Sequence, residues 1–132
     1  MVFVDTGAWY ALYVPTDRNC RAAHEWLQDN RRPLVTIDYI MTETLNLLNA
    51  RGERRRAVDF GTNLLQGRLA RVEYVTASDI GTAFVVFSRH DDKDWSFTDC
   101  VSRAVMSRLN VKTAFAFDVH FRQFGNLEVV PA

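Results

Sequence analysis

Asp5 closes the apolar run Val2-Phe-Val, and Asp118 closes Thr113-Ala-Phe-Ala-Phe. A carboxylate at the end of a buried strand is costly unless a partner, a metal or a proton satisfies it. Two further acids can join them. Glu43 borders the helical stripe of Ile40, Leu47 and Ala50, and Asp99 lies in the first turn of a helix opening at Ser96. Gathered carboxylates repel one another and raise each other's pKa values, and a divalent cation reverses that penalty. Oxygen donors with no Cys or His ligand close by favour a hard ion, Mg²⁺ or Mn²⁺, over zinc. Such an ion activates water and stabilises charge on a leaving oxygen. Paired ions about 3.5–4 Å apart clamp an in-line phosphodiester displacement.

Each acid also has a plainer reading. Asp5 can cap a helix through Thr6-Gly7, Glu43 can be a solvated residue at the margin of its stripe, and Asp118 can begin a turn. Ser96-x-x-Asp99 has the form of a capping box, and acids favour the positive end of a helix. The combination carries the inference.

The elements that must position these acids alternate strand and helix. Strands are predicted at Val2 to Val4, Leu34 to Ile37, Val72 to Val75, Thr113 to Phe117 and Leu127 to Val130. Helices are predicted at Ala8 to Val14, and after Pro15 with Thr16 or Asp17 as cap. Others run from Asp38 to near Gly52, from Arg54 to Gln66, from Thr76 to Arg89, and from Ser96 to near Asn110. This alternation implies a three-layer α/β/α sandwich around a mainly parallel sheet. Right-handed crossovers start each helix at the edge where the preceding strand ends, which is the usual ligand edge of an open α/β sheet. All four acids then converge there.

Composition narrows the class. The chain has 132 residues, enough for one domain with a real core. No apolar run approaches the ~20 residues of a membrane span, and the N-terminus lacks the pattern of a signal peptide. Cys20 and Cys100 lie far apart without metal-like spacing and read as reduced, structural residues of a cytoplasmic protein. A net charge of zero removes any argument for nucleic-acid binding from overall charge. Local basic groups remain: Arg51, Arg54, Arg55 and Arg56 at a helix–helix connection, with Arg31, Arg32 and Arg89 as lesser candidates.

The sequence resembles the PIN-domain ribonucleases, specifically VapC-type toxins, over essentially its whole length. The segments that carry the resemblance are Val2-Phe-Val-Asp5-Thr6, Ile40-Met-Thr-Glu43-Thr-Leu-Asn-Leu47, Ser96-Phe-Thr-Asp99-Cys-Val and Ala114-Phe-Ala-Phe-Asp118-Val-His-Phe121. The resemblance implies a single PIN-like domain over residues 1–132 with a five-stranded parallel sheet in the order 3-2-1-4-5. It implies Mg²⁺- or Mn²⁺-dependent endonucleolytic cleavage of RNA, inhibition by a VapB-like antitoxin, and a homodimer. It casts Asp5, Glu43, Asp99 and Asp118 as metal ligands, with Thr6 a hydroxyl that orients Asp5. Ser96 supports Asp99, and Asp94 is an additional acid. His120 is read mainly as a surface or packing residue and Phe121 as core. Trp9, Tyr10, Tyr13 and Trp26 are read mostly as core, with some free to line a groove for an antitoxin helix or a dimer face.

Three alternatives stand beside this reading. One is a catalytically inactive PIN-like RNA- or protein-binding module, against which four converging acids argue. Another is an aspartic protease of retroviral type, because Asp5-Thr6-Gly7-Ala8 matches its active-site tetrapeptide. The third is a different metal-dependent phosphotransfer fold, but the chain has no P-loop, no GxGxxG fingerprint and no Asp-x-Asp after the first strand.

Overall fold

A computed structural model describes residues 1–132. The elements follow in the order β1 (Val2–Val4), α1 (Thr6–Tyr13), α2 (Cys20–Asp29), β2 (Leu34–Ile37), α3 (Asp38–Ala50) and α4 (Arg54–Leu65). Then come β3 (Arg71–Glu73), α5 (Ala77–Arg89), α6 (Phe97–Arg108), β4 (Thr113–Phe115), α7 (Val119–Gln123) and β5 (Glu128–Val130). The strands form one sheet, β3-β2-β1-β4-β5, parallel at every pairing. The five-stranded order expected from the resemblance is therefore present.

β1 is the central strand because every residue of Val2-Phe-Val is apolar and fully buried, as a strand with helices over both faces requires. Its Val2 pairs with Leu34 on one side and with Thr113 on the other. Trp9, Phe3, Phe60, Phe115 and Phe121 are the bulkiest buried side chains, and they pack ring against ring. Trp9 and Tyr10 are buried, while Tyr13 and Trp26 are half-buried against Phe60 and Phe115. These four aromatics belong to the core and its margin. No helix is long and apolar enough to cross a membrane.

Four boundaries differ from the sequence expectation, each for a local reason. The α2 cap position is Asn19, not Thr16 or Asp17; Asp17 instead accepts a hydrogen bond from the Asn19 N–H at 3.0 Å and closes the preceding turn. β3 stops at Glu73 because the Val75 N–H donates to the Asp38 carboxylate at 2.9 Å, leaving the ladder. β4 stops at Phe115, and an unforeseen short helix, α7, follows Asp118. α1 starts at Thr6 rather than Ala8, so Thr6 and Gly7 are helical. The parallel sheet and this helical start exclude the aspartic protease.

Candidate active site

Asp5 leaves β1 with its backbone already committed. Its N–H donates to the Phe115 carbonyl at 3.0 Å, and its own carbonyl accepts from Ala8 and Trp9 to start α1. Asp5 occupies the cap position of α1 in extended conformation, but its side chain makes no capping hydrogen bond. The carboxylate is thus buried, 5% exposed, and free to face the carboxyl edge of the sheet. Beside it the Thr6 hydroxyl is buried without a hydrogen-bond partner.

Asp99 comes from α6. Both halves of the capping box form: Ser96 Oγ accepts from the Asp99 N–H at 3.0 Å, and the Ser96 N–H donates to Asp99 Oδ2 at 2.9 Å. Capping and site-forming roles therefore coexist in one oxygen: Oδ2 accepts the Ser96 N–H and also lies 3.1 Å from His120 Nδ1. Asp118 caps α7, its Oδ1 accepting from the His120 N–H at 2.9 Å. Phe121 is buried against Phe3 and Phe124, which turns the preceding residue, His120, back toward the acids. His120 Nδ1 lies 3.1 Å from Asp99 Oδ2 and 3.2 Å from Asp118 Oδ1. Glu43 sits exposed in the second turn of α3.

These elements enclose one wholly polar cavity of about 320 Å³, lined by Asp5, Thr6, Gly7, Glu43, Ser96, Asp99, Asp118 and His120. Burial, and after it the charges of Asp99, Glu43 and Asp118, push the Asp5 pKa up from 3.8 to about 8, against the pull of the Thr6 N–H. An acid held protonated by burial and, after it, by its neighbours' charges, next to an orphaned hydroxyl, is what a cation site presents before the charge is balanced. The oxygen donors fit a hard divalent ion.

Residues 2–127 match the PIN domain family. The chain belongs to the PIN-domain family. Over 133 aligned positions it is 38% identical to the 23S rRNA-specific endonuclease VapC20 of Mycobacterium tuberculosis, covering 99% of each chain. The crystal structure of that VapC20, described as a sarcin–ricin loop cleaving toxin, superimposes with a TM-score of 0.91 at 33% identity over 98% of both chains. A toxin–antitoxin complex from Klebsiella pneumoniae, at TM-score 0.69 and 11% identity over 98% of this chain and 96% of its match, shares the fold. So does FitAcB from Neisseria gonorrhoeae, at TM-score 0.67 and 14% identity over the same shares.

This PIN domain brings together Asp5, Glu43, Asp99 and Asp118 with Thr6 and Ser96. Asp94 is not among them. It is exposed on the loop between α5 and α6 and faces a different cavity with His90 and Trp95, so its reading as an additional site acid is corrected. The run of polar residues there lets the loop stay in solvent, and no core contact draws Asp94 inward. Arg31 and Arg32 lie at the opposite edge of the sheet. Arg32 binds Thr113 and Glu128 at the starts of β4 and β5. Arg89 is exposed in the last turn of α5. Arg51, Arg54, Arg55 and Arg56 flank the α3–α4 connection rather than the cavity. Arg51 stacks on the Tyr10 ring, and Arg56 is held by Glu53 and the Tyr13 carbonyl. The member that the sequence reading underweighted is His120. Its signal is the two-residue spacing from Asp118, ahead of a buried Phe.

Proposed function

We propose that this PIN domain is a divalent-metal-dependent endoribonuclease that cuts 23S rRNA at the sarcin–ricin loop and acts as the toxin of a toxin–antitoxin pair. The observation that carries the reading is the cavity itself, where carboxylates from four separated segments meet around buried Asp5. Asp5, Asp99, Asp118 and Glu43 would hold Mg²⁺ or Mn²⁺. The bound ion supplies activated water and neutralises charge on the phosphodiester. Thr6 orients Asp5, and Ser96 holds Asp99 through the capping box.

An acidic pocket repels phosphates, so cationic groups outside it must hold the RNA backbone. Arg51, Arg54, Arg55 and Arg56 are the proposed set. Exposed Arg54 and Arg55 lead it, because Arg51 lies over the Tyr10 ring and Arg56 is held by Glu53, whereas Arg54 meets only the Asn49 side chain in the groove itself. The cleft along α3 supports this placement: Glu43 lines both the acidic cavity and a neighbouring groove with Asn46, and Asn46 also lines the next groove with Asn49 and Arg54.

The groove between α3 and α4, with Met41, Leu45, Val58 and Leu65 on its walls, suits an apolar segment of a VapB-like antitoxin. Such a segment would cover Arg54. A second copy of the chain suits α5, whose Ile80, Phe84 and Phe87 recur at helical spacing and are 38%, 59% and 43% exposed. Action on ribosomal RNA places the protein in the cytoplasm.

The test is incubation of intact ribosomes with purified protein, Mn²⁺ or EDTA, followed by mapping of the new RNA ends. A cut within the sarcin–ricin loop that EDTA abolishes supports the proposal. Ribosomal RNA left whole at every ion concentration, alongside tight Mn²⁺ binding, would favour the inactive binding module.

A further inference from the structure

We infer that His120 is itself a metal ligand, through Nδ1, and that it tilts this site toward Mn²⁺ and away from Mg²⁺. The inference rests on the metal-dependent reading above and adds a nitrogen to what is otherwise an oxygen site.

The position of the ring follows from two constraints on a short stretch of chain. Asp118 accepts the His120 N–H at 2.9 Å, which fixes the backbone of α7 relative to that carboxylate. Phe121 is fully buried and packs edge-on against Phe124, which orients the helix about its axis. Between these anchors the imidazole has one place to go, among the acids. It is 22% exposed there and lines the cavity.

The donor spacing fits coordination. Nδ1 stands 3.1 Å from an oxygen of Asp99 and 3.2 Å from one of Asp118, and the three donor atoms lie within 4.8 Å of one another. Neighbouring ligands on an octahedral ion with bonds near 2.1 Å sit about 3 Å apart. A second observation points to a ligand in the same place. The Thr6 hydroxyl, 94% buried by the complement of its 6% exposure, lines this cavity without a hydrogen-bond partner. Without an ion, Nδ1 stands within hydrogen-bond distance of both carboxylate oxygens; ligation moves the ring hydrogen to Nε2, and the freed Nδ1 lone pair meets the ion.

Selectivity follows from donor type. Carboxylate and water suit Mg²⁺ and Mn²⁺ alike, whereas imidazole adds affinity for first-row transition ions and little for Mg²⁺. The other two histidines are engaged elsewhere, His24 at the Leu12 carbonyl and His90 against Trp95. A nitrogen signal that disappears in H120Q is therefore assignable to His120.

The test is pulsed EPR on the full chain loaded with Mn²⁺, with calorimetric titrations of Mn²⁺ and Mg²⁺ into wild type and His120→Gln. The expected result is ¹⁴N modulation from a directly bound nitrogen in wild type, lost in H120Q. H120Q should weaken Mn²⁺ binding about 10-fold or more and Mg²⁺ binding by less than about 3-fold. Mn²⁺ bound without a nitrogen signal in wild type overturns the inference and leaves the metal-dependent reading standing. This readout needs no variant to fold. Equal weakening of both ions in a folded H120Q overturns the selectivity. A wild-type chain that binds neither ion overturns the metal-dependent reading itself.

Discussion

Replacing Asp5 with Asn removes a group that ionises on unfolding while keeping the side-chain shape, and it should stabilise the metal-free protein. In the native state burial and three neighbouring carboxylates hold the Asp5 pKa at about 8, against 3.8 for the free group. The native chain therefore keeps a proton that the unfolded chain gives up between those two values. The Asp5 contribution to stability is full below about pH 4 and is lost as pH rises toward 8. At pH 7 about three pH units of that window have been crossed, which at 1.36 kcal/mol per unit is a ceiling of roughly 4 kcal/mol. Rearrangement of the pocket on ionisation absorbs part of it, so Asp5→Asn should gain roughly 2–4 kcal/mol at pH 7 in EDTA, or about 3–5 °C in Tm per kcal/mol for a chain of this size. The two proteins should converge near pH 4. Saturating Mn²⁺ should reverse their order, because an ion at about 1,000 times its Kd stabilises wild type by about 4.1 kcal/mol, at least matching the variant's gain, and finds its main ligand missing in the variant. Urea unfolding from pH 4 to 8, in EDTA and in Mn²⁺, measures all of this. A variant that is less stable than wild type in EDTA at pH 7, with the same pH slope, would refute the reasoning.

Asp99→Asn should keep the fold by circular dichroism and lose at least about 100-fold in single-turnover RNA cleavage, since it removes a proposed ligand charge and not merely its support. Arg108→Ala should cost about 1–3 kcal/mol in urea unfolding at pH 7, because Arg108 is the ion-pair partner of buried Asp79 and of Glu73 but is itself partly solvated. Arg108 holds both carboxyls below their usual range, so the wild-type advantage should be present above about pH 4 and vanish as pH falls further. Arg54→Ala and Arg55→Ala should each weaken RNA binding and lower the salt slope by about 1, whereas Arg32→Ala, on the far edge of the sheet, should leave the slope unchanged. Filter binding across a salt series measures this.

Much of this site was legible because strand ends are marked by chemistry. An acid directly after Val2-Phe-Val breaks an apolar run in a way that neither packing nor solvation explains. Glu43 followed from helical spacing within α3. Asp99 followed from the rule that helix starts share an edge with strand ends, and the capping box, the plainer reading of Ser96-x-x-Asp99, forms as well and holds the carboxylate at the start of α6. α7 left no trace, because five residues are too few to show a helical period. With it went the geometry of His120, whose position depends on Asp118 capping and Phe121 burial acting together. Asp94 was a candidate because the resembled family varies its fourth acidic position, and the solvated loop that carries it keeps it in a separate cavity. Arg31 and Arg32 fall at the opposite edge of the sheet, because clustering in sequence says nothing about which edge the cluster reaches.

Anomalous diffraction from a crystal soaked in Mn²⁺ tests most directly whether the acids act as one cation site. The expected result is a strong peak within bonding distance of Asp5 and Asp99, with Asp118 beside it and Glu43 reached directly or through water. A cavity that stays free of Mn²⁺ at millimolar concentration, or a peak that forms only at other acids, would contradict it.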